Sequence, residues 1–361
     1  MIGIGNELFN KEKIMKKIFY FAVAASMVMA SCSNEDVVAP QNETFTINAT
    51  IGKVDTRTAY TDLTADAEKG LKVEWEANEK ISVIEVSDNK FTGNVYEFTS
   101  TNVAGATATF TAPAGFTKND SYQYVAVYPA LEKFEEGTYF GGTANNVATL
   151  QVKTDNNQYI TSSMLTSGTN KAYQSTANDC SHLKNYDAMV SAVTFNGNVA
   201  DINFIKLNAV IKWNLTLPEE AVTAGMKPYM FTIEGTSNTG MYYDAAISLS
   251  NIAEGKIYWG SGNRSEKLSM NLGNLTGSTS IDIPSDGKLS VYMPVFGTNS
   301  AYSYMQFFSK DVTYSITVNC KGAAAYDEGA DYTASISCPE NKLIEQGKVY
   351  VIKANLAEIA E

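Results

Sequence analysis

Histidine is almost missing from this 361-residue sequence: His182 stands alone, which excludes a multi-histidine zinc site and ties any Ser/His/Asp triad to one place. It lies in Cys180-Ser181-His182, a polar stretch without a sharp nucleophile turn, so it reads as a surface side chain; nothing there orients it as a base for the nearby thiol. Positive charge is scarce as well. Against 39 Asp plus Glu there are 27 Lys plus Arg, a net charge of −12 with no basic cluster, which argues against nucleic acid and anionic lipid as partners. No apolar run reaches the roughly 20 residues that cross a bilayer. Asp66, Asp88 and Asp120 lack calcium-loop spacing, and Gly141-Gly142 lacks a strand-to-helix phosphate motif. No catalytic residue, metal or cofactor is expected, and no fixed-period repeat is found.

What is present begins with an address. Lys16 and Lys17 precede the apolar residues 18–30, and the run ends in Met29-Ala30-Ser31-Cys32. Met15 reads as the true start. The segment is too short to span a membrane and has the order of a removed signal: basic, apolar, small. It resembles the lipobox of a bacterial lipoprotein. Residues 1–31 are then the signal peptide, Cys32 is the lipidated first residue, and lipid on Cys32 ties the chain to the outer membrane. Glu35-Asp36 resembles the acidic export signal of some Bacteroidetes lipoproteins, which implies surface exposure. Residues 33–43 read as a flexible tether.

Beyond the tether the period is two. Phe45, Ile47, Ala49 and Ile51 alternate with Thr46, Asn48 and Thr50, and similar runs cover 71–75, 81–86, 104–110, 122–128, 209–215, 229–233, 291–295, 314–320, 332–338 and 349–356. Alternation predicts strands with one face buried and one wet, hence antiparallel sheets packed face to face. The expected class is all-β, with two antiparallel β-sandwich domains in tandem. Residues 140–185 are polar and poor in strand pattern, so the boundary is expected close behind them: 32–57 as tether and first strand, 58–190 as the N-terminal sandwich, 191–361 as the C-terminal one.

Besides Cys32 the thiols are Cys180, Cys320 and Cys338, an odd number for an exported chain. Cys320 and Cys338 each end an alternating run on its apolar face. Simple hairpin pairing sets them near opposite ends, so buried free thiols are the expectation and a disulfide between them the alternative. Glu74 and Glu76 flank Trp75 on one strand face, with carboxylates about 6 to 7 Å apart, a separation glycosidases use. The plainer reading is a solvated face whose Trp75 points into the core, and the chain is not expected to be an enzyme. Among the aromatic residues, Tyr242, Tyr243, Tyr258 and Trp259 lie by Gly-rich turns and are the candidate glycan contacts.

Five segments behind the lipobox carry a further signal by their order: the first strand 45–51, Thr56-Arg57-Thr58, Trp75-Glu76-Ala77-Asn78-Glu79-Lys80-Ile81, Tyr124-Val125-Ala126-Val127-Tyr128-Pro129, and Gly347-Lys348-Val349-Tyr350-Val351-Ile352. Together they resemble the fimbrillins of Bacteroidetes over nearly the whole mature chain. Where that family usually has Gly-Asp, this chain has Asn78-Glu79. The resemblance implies two transthyretin-like sandwiches, lipoprotein export, cleavage between Arg57 and Thr58 by a trypsin-like protease, and assembly into type V fimbriae for cell adhesion. Cleavage would release the strand of Phe45, Ile47, Ala49 and Ile51, and a strand from another fimbrial subunit would take its place. Stalk subunits of this kind carry a donor segment after the last strand. Only residues 357–361 follow here, so a tip or accessory position is expected. The alternative is a stand-alone surface lipoprotein that binds a glycan or a host protein.

Overall fold

The structure, a computed structural model, describes residues 44–51, 61–62, 71–72, 74–88, 90–101, 105–128, 130, 136–138, 148–151, 153–154, 158–159, 172–187, 189–206, 208–236, 241–242, 246–248, 258–260, 264–274, 276–296, 308–324, 328–342 and 344–359. The all-β class holds. β1 (Thr46–Ile51), β2 (Lys80–Ser87), β3 (Lys90–Ser100), β4 (Thr107–Thr111), β5 (Gln123–Tyr128), β6 (Met189–Val193) and β7 (Val199–Lys206) form a closed sheet in the order β1-β7-β6-β5-β2-β3-β4. The remaining long strands are β8 (Asn208–Thr216), β9 (Lys227–Gly235), β10 (Lys267–Leu272), β11 (Lys288–Phe296), β12 (Thr313–Lys321), β13 (Ala330–Ser337) and β14 (Val349–Asn355), followed by the two-residue β15 (Ala357–Glu358). They make two sheets: β10-β9-β12-β13-β15, with Tyr173–Gln174 added beside β10, and β11-β8-β14. The boundary expected between residues 190 and 191 falls inside β6, and the closed sheet runs on to Lys206.

Pairing is not uniformly antiparallel. β1 runs parallel to β7, β14 runs parallel to β8, and Tyr173–Gln174 runs parallel to β10. In each case the parallel partners are far apart in sequence, as a parallel pair requires, because a short hairpin cannot join them.

Alternation of one buried and one wet face describes β7 and β12, whose burial strictly alternates, but fails for β2 and β5. These strands are buried on both faces. Ile81, Val83, Tyr124, Ala126, Tyr128 and Met189 belong to the first core, inside the closed sheet, whereas Ile84, Val86, Val125, Val127 and Val190 belong to the second. β2, β5 and β6 are therefore a wall between two hydrophobic cores. Continuous apolar runs are what a doubly covered strand needs, and Tyr124-Val125-Ala126-Val127-Tyr128 is one. From the far side, Val210 of β8 and Tyr292 of β11 reach into the first core.

Within the polar stretch 140–185, some described residues form short strands. Ala148–Gln151 pairs with Ala246–Ser248, which pairs with Tyr258–Gly260, so segments from both halves of the chain build a four-stranded sheet with Glu136–Thr138. Thr, Asn and Ser hide such short strands because their side chains offer no apolar stripe to count.

A shared wall makes the cores unfold together. Ile84→Ala removes a fully buried side chain and is expected to cost about 2–5 kcal/mol. Thermal unfolding read through Trp75 in the first core and Trp213 in the second should move by the same amount; two separated transitions would argue against a common wall.

Candidate functional site

The closed sheet depends on β1, and three sets of contacts hold it. Inward, Ile47 and Ala49 are fully buried and Ile51 is 8% exposed, sharing the first core with Ala108, Phe110, Ala200, Ile202 and Phe204. Along its edges, β1 pairs antiparallel with β4 from Thr46↔Thr111 to Thr50↔Thr107, and parallel with β7 from Thr46↔Val199 to Ile51↔Phe204. The ladder continues past the N-terminal end of β1 on both edges, since Thr46 N–H donates to Asn198 O at 2.9 Å and Ala112 N–H to Phe45 O at 2.9 Å. On the outer face, Asn48 Nδ2 donates to Asp201 Oδ1 at 2.8 Å, and Thr109 Oγ1 donates to Asn48 Oδ1 at 2.9 Å.

Phe45 anchors the entry. Its ring meets Phe116 and Phe195 edge-on, at 5.2 and 5.5 Å between centroids. With β1 absent, β4 and β7 would each present an unpaired edge, and the apolar side chains that face Ile47, Ala49 and Ile51 would line an open slot. Large, small, large is the pattern this slot fits: Ala49 sits opposite Ala108, while Ile47 and Ile51 sit opposite Phe110 and Phe204. Cys32, Arg57 and Thr58 lie outside the described residues.

At the opposite end of the same core two of the quoted motifs meet. Trp75, 1% exposed, stacks edge-on against Phe110 and Tyr128 at 5.1 and 5.2 Å. The Tyr128 hydroxyl donates to Glu79 Oε1 at 2.7 Å, and Glu79 Oε2 accepts from the Glu76 N–H at 2.9 Å. Asn78 holds φ +64°, a left-handed conformation that asparagine tolerates and glycine favours. Trp75 thus points into the core and Glu76 is exposed, as the plainer reading of that segment had it.

His182 is not a surface residue. It is buried, and its Nε2 donates to the Tyr292 carbonyl at 2.8 Å. Its function is edge protection. β11 has β8 on one side, and on the other its backbone is met by side chains: Gln174 Nε2 donates to Ser290 O at 2.9 Å, Tyr292 N–H donates to Gln174 Oε1 at 3.0 Å, and Ser290 N–H donates to Asn178 Oδ1 at 2.5 Å. A polar segment that looks like a loose connection caps a strand edge.

The other candidates separate. Cys180, Cys320 and Cys338 are not joined by disulfides. Cys320 pairs with Ala330 at one end of the β12–β13 ladder, while Cys338 follows Ser337, which pairs with Thr313 at the other. Cys320 lines an open cavity of about 710 Å³ with Lys227, Tyr229, Asp282 and Lys321. Burial pushes its thiol up to about 12, with Asp331 adding to the shift, so it is no nucleophile at neutral pH. Lys227 is ion-paired with Asp282, and Lys321 lies 5.1 Å over the Tyr229 ring. Tyr242 lies in the short strand Met241–Tyr242, Tyr258 and Trp259 in Tyr258–Gly260, and Tyr243 outside the described residues. Among the described residues no group of three His, Cys, Asp or Glu side chains could hold a metal.

No family model and no curated protein matches the chain. Among solved structures it is similar to a candidate cell adhesion protein from Bacteroides fragilis NCTC 9343, at 14% identity and TM-score 0.41, covering 88% of this chain and 97% of that one. A candidate cell adhesion protein from Bacteroides uniformis ATCC 8492 is similar at 13% identity and TM-score 0.39, covering 90% and 99%. A fimbrial protein from Bacteroides vulgatus ATCC 8482 is similar at 13% identity and TM-score 0.35, covering 88% and 99%.

Burial pulls the His182 imidazole down from 6.5 to about 4, against the opposing pull of the Tyr292 carbonyl and Asp179. Between those values the unfolded chain binds a proton that the folded chain refuses. Stability should therefore fall as pH drops from 6.5 to 4, by about 3 kcal/mol from this group. Urea midpoints across that window measure it, and His182→Gln should flatten the slope.

Proposed function

We propose that this chain is a fimbrial subunit of the cell surface, exported as a lipoprotein through Cys32, whose β1 is a removable stopper. The supporting observation is the position of β1: it precedes Arg57 in sequence, is paired on both edges, and closes the sheet around the first core. Cleavage between Arg57 and Thr58 separates β1 covalently from everything that holds it. The lipid on Cys32 leaves with it, so the anchor is a transit tag and its loss coincides with activation.

An emptied slot does not stay empty cheaply. Each buried aliphatic side chain of β1 contributes about 1.5–3 kcal/mol, and two strand edges lose their backbone partners at once. A strand from a neighbouring subunit restores both if it enters with the polarity of β1, antiparallel to β4 and parallel to β7. This is strand addition to a sheet with a groove for alternate side chains. The chain thereby acts as an acceptor in fimbrial assembly, and adhesion is the property of the assembled fibre.

The test is processing followed by complementation. Surface-released protein should begin at Thr58, and Arg57→Ala should keep Cys32 and block assembly. After cleavage, a peptide of residues 44–52 should bind the open form and restore its stability, while the same peptide with Ala49→Trp should not. Protein that starts at Cys32 on the surface, with no Thr58 species, overturns the reading in favour of a permanently tethered lipoprotein.

A further inference from the structure

Lys206 ends β7 as the last inward residue of the series Ala200, Ile202, Phe204, and it pairs in register with Met189 of β6. Asp187 lies two residues before Met189 in extended conformation. Lys206 Nζ and Asp187 Oδ2 are 2.5 Å apart, with side chains 3% and 0% exposed. Met189 in turn pairs with Tyr128, and Phe204 packs against Trp75 at 5.8 Å, so the pair sits at the aromatic end of the first core. Equally close Lys–carboxylate contacts occur on the surface, as between Lys348 and Glu345, where both side chains are about half exposed. What sets Lys206 and Asp187 apart is that water does not reach them.

A salt bridge accounts poorly for this arrangement. Sealing two charges costs several kcal/mol per ion, and the loss is offset only when the remaining lone pairs are satisfied. Asp187 Oδ1 is buried without a hydrogen-bond partner. Burial also draws Lys206 toward its neutral amine, against the opposing charge of Asp187, and a desolvated amine is a nucleophile.

We propose that Lys206 and Asp187 condense into an intramolecular amide. The ammonium passes a proton to Oδ2, leaving an amine in contact with a carboxylic acid. Nζ then attacks Cγ, the N–Cγ bond forms, and the bond from Cγ to the departing oxygen breaks. That oxygen carries off the transferred proton and one more from nitrogen as water. No oxidant, reductant or cofactor enters the balance. Contact geometry supplies the effective concentration, and removal of two buried charges drives the equilibrium. The amide fastens the start of β6 to the end of β7, two residues before β8 begins. It is independent of strand exchange: either can hold without the other.

High-resolution mass spectrometry of the purified, folded full chain decides the matter. The expected mass is one water below that of the sequence, and digestion should yield a branched peptide joining the segments that contain Asp187 and Lys206. Lys206→Arg keeps the positive charge but cannot condense, and should return to the sequence mass. Wild-type protein at full sequence mass overturns the proposal, as does a water deficit that persists in Lys206→Arg. If that variant does not fold, the presence or absence of the branched peptide in the wild type decides alone.

Discussion

One short strand with partners on both edges decides whether the first core is sealed. β1 contributes three inward side chains, yet it is the element that makes seven strands a ring instead of an open sheet. Its partners are not its sequence neighbours. β4 lies more than fifty residues later and β7 more than 140, so β1 is held by noncovalent pairing and not by a hairpin. A strand attached in this way can be exchanged for another of the same polarity without rebuilding any turn. That is a topological property, and it exists whether or not a protease uses it.

The rest of the molecule manages its edges differently. β11 is capped by Gln174, Asn178 and His182, whose side chains occupy the backbone groups that another strand would use. β2, β5 and β6 have no free face, because each side of the wall is filled by a separate core. Protection by side chains is permanent, since Gln174 is fully buried and cannot leave without exposing Ser290 and Tyr292. At the facing edges of β4 and β7 the protection comes from a paired strand, β1, instead of from side chains.

Much of this was legible in the residues. Strand existence followed from alternation at β1, β4, β12 and β14, which lie close to their expected positions. Trp75 was placed correctly because Glu74 and Glu76 on either side demand water. One cause of the misses is a signal that depends on what covers the second face. β6, Met-Val-Ser-Ala-Val, has no alternation because both its faces are buried. β7 is a different case: it alternates with one wet face yet is absent from the expected runs, and its last inward residue, Lys206, is met by Asp187. His182 was assigned to the surface because its neighbours are polar. Those neighbours are polar because they hydrogen-bond a strand edge, a relation across more than a hundred residues that no local window contains.

Two segments far apart in sequence, 75–81 and 124–129, meet in space. Trp75, Glu79 and Tyr128 form one contact set at the end of the first core, and Phe204, beside Lys206, completes it. Asn78 and Glu79 make the turn that leads into this contact set. The turn needs a left-handed residue, which asparagine supplies at modest cost, and it needs a carboxylate that reaches both the Glu76 N–H and the Tyr128 hydroxyl. Burial and Glu79 together raise the Tyr128 phenol well above its ordinary value, so the hydroxyl stays a donor at any physiological pH. Glutamate meets that demand with one oxygen on each donor. The motif is therefore a clamp that keeps the aromatic end of the first core closed.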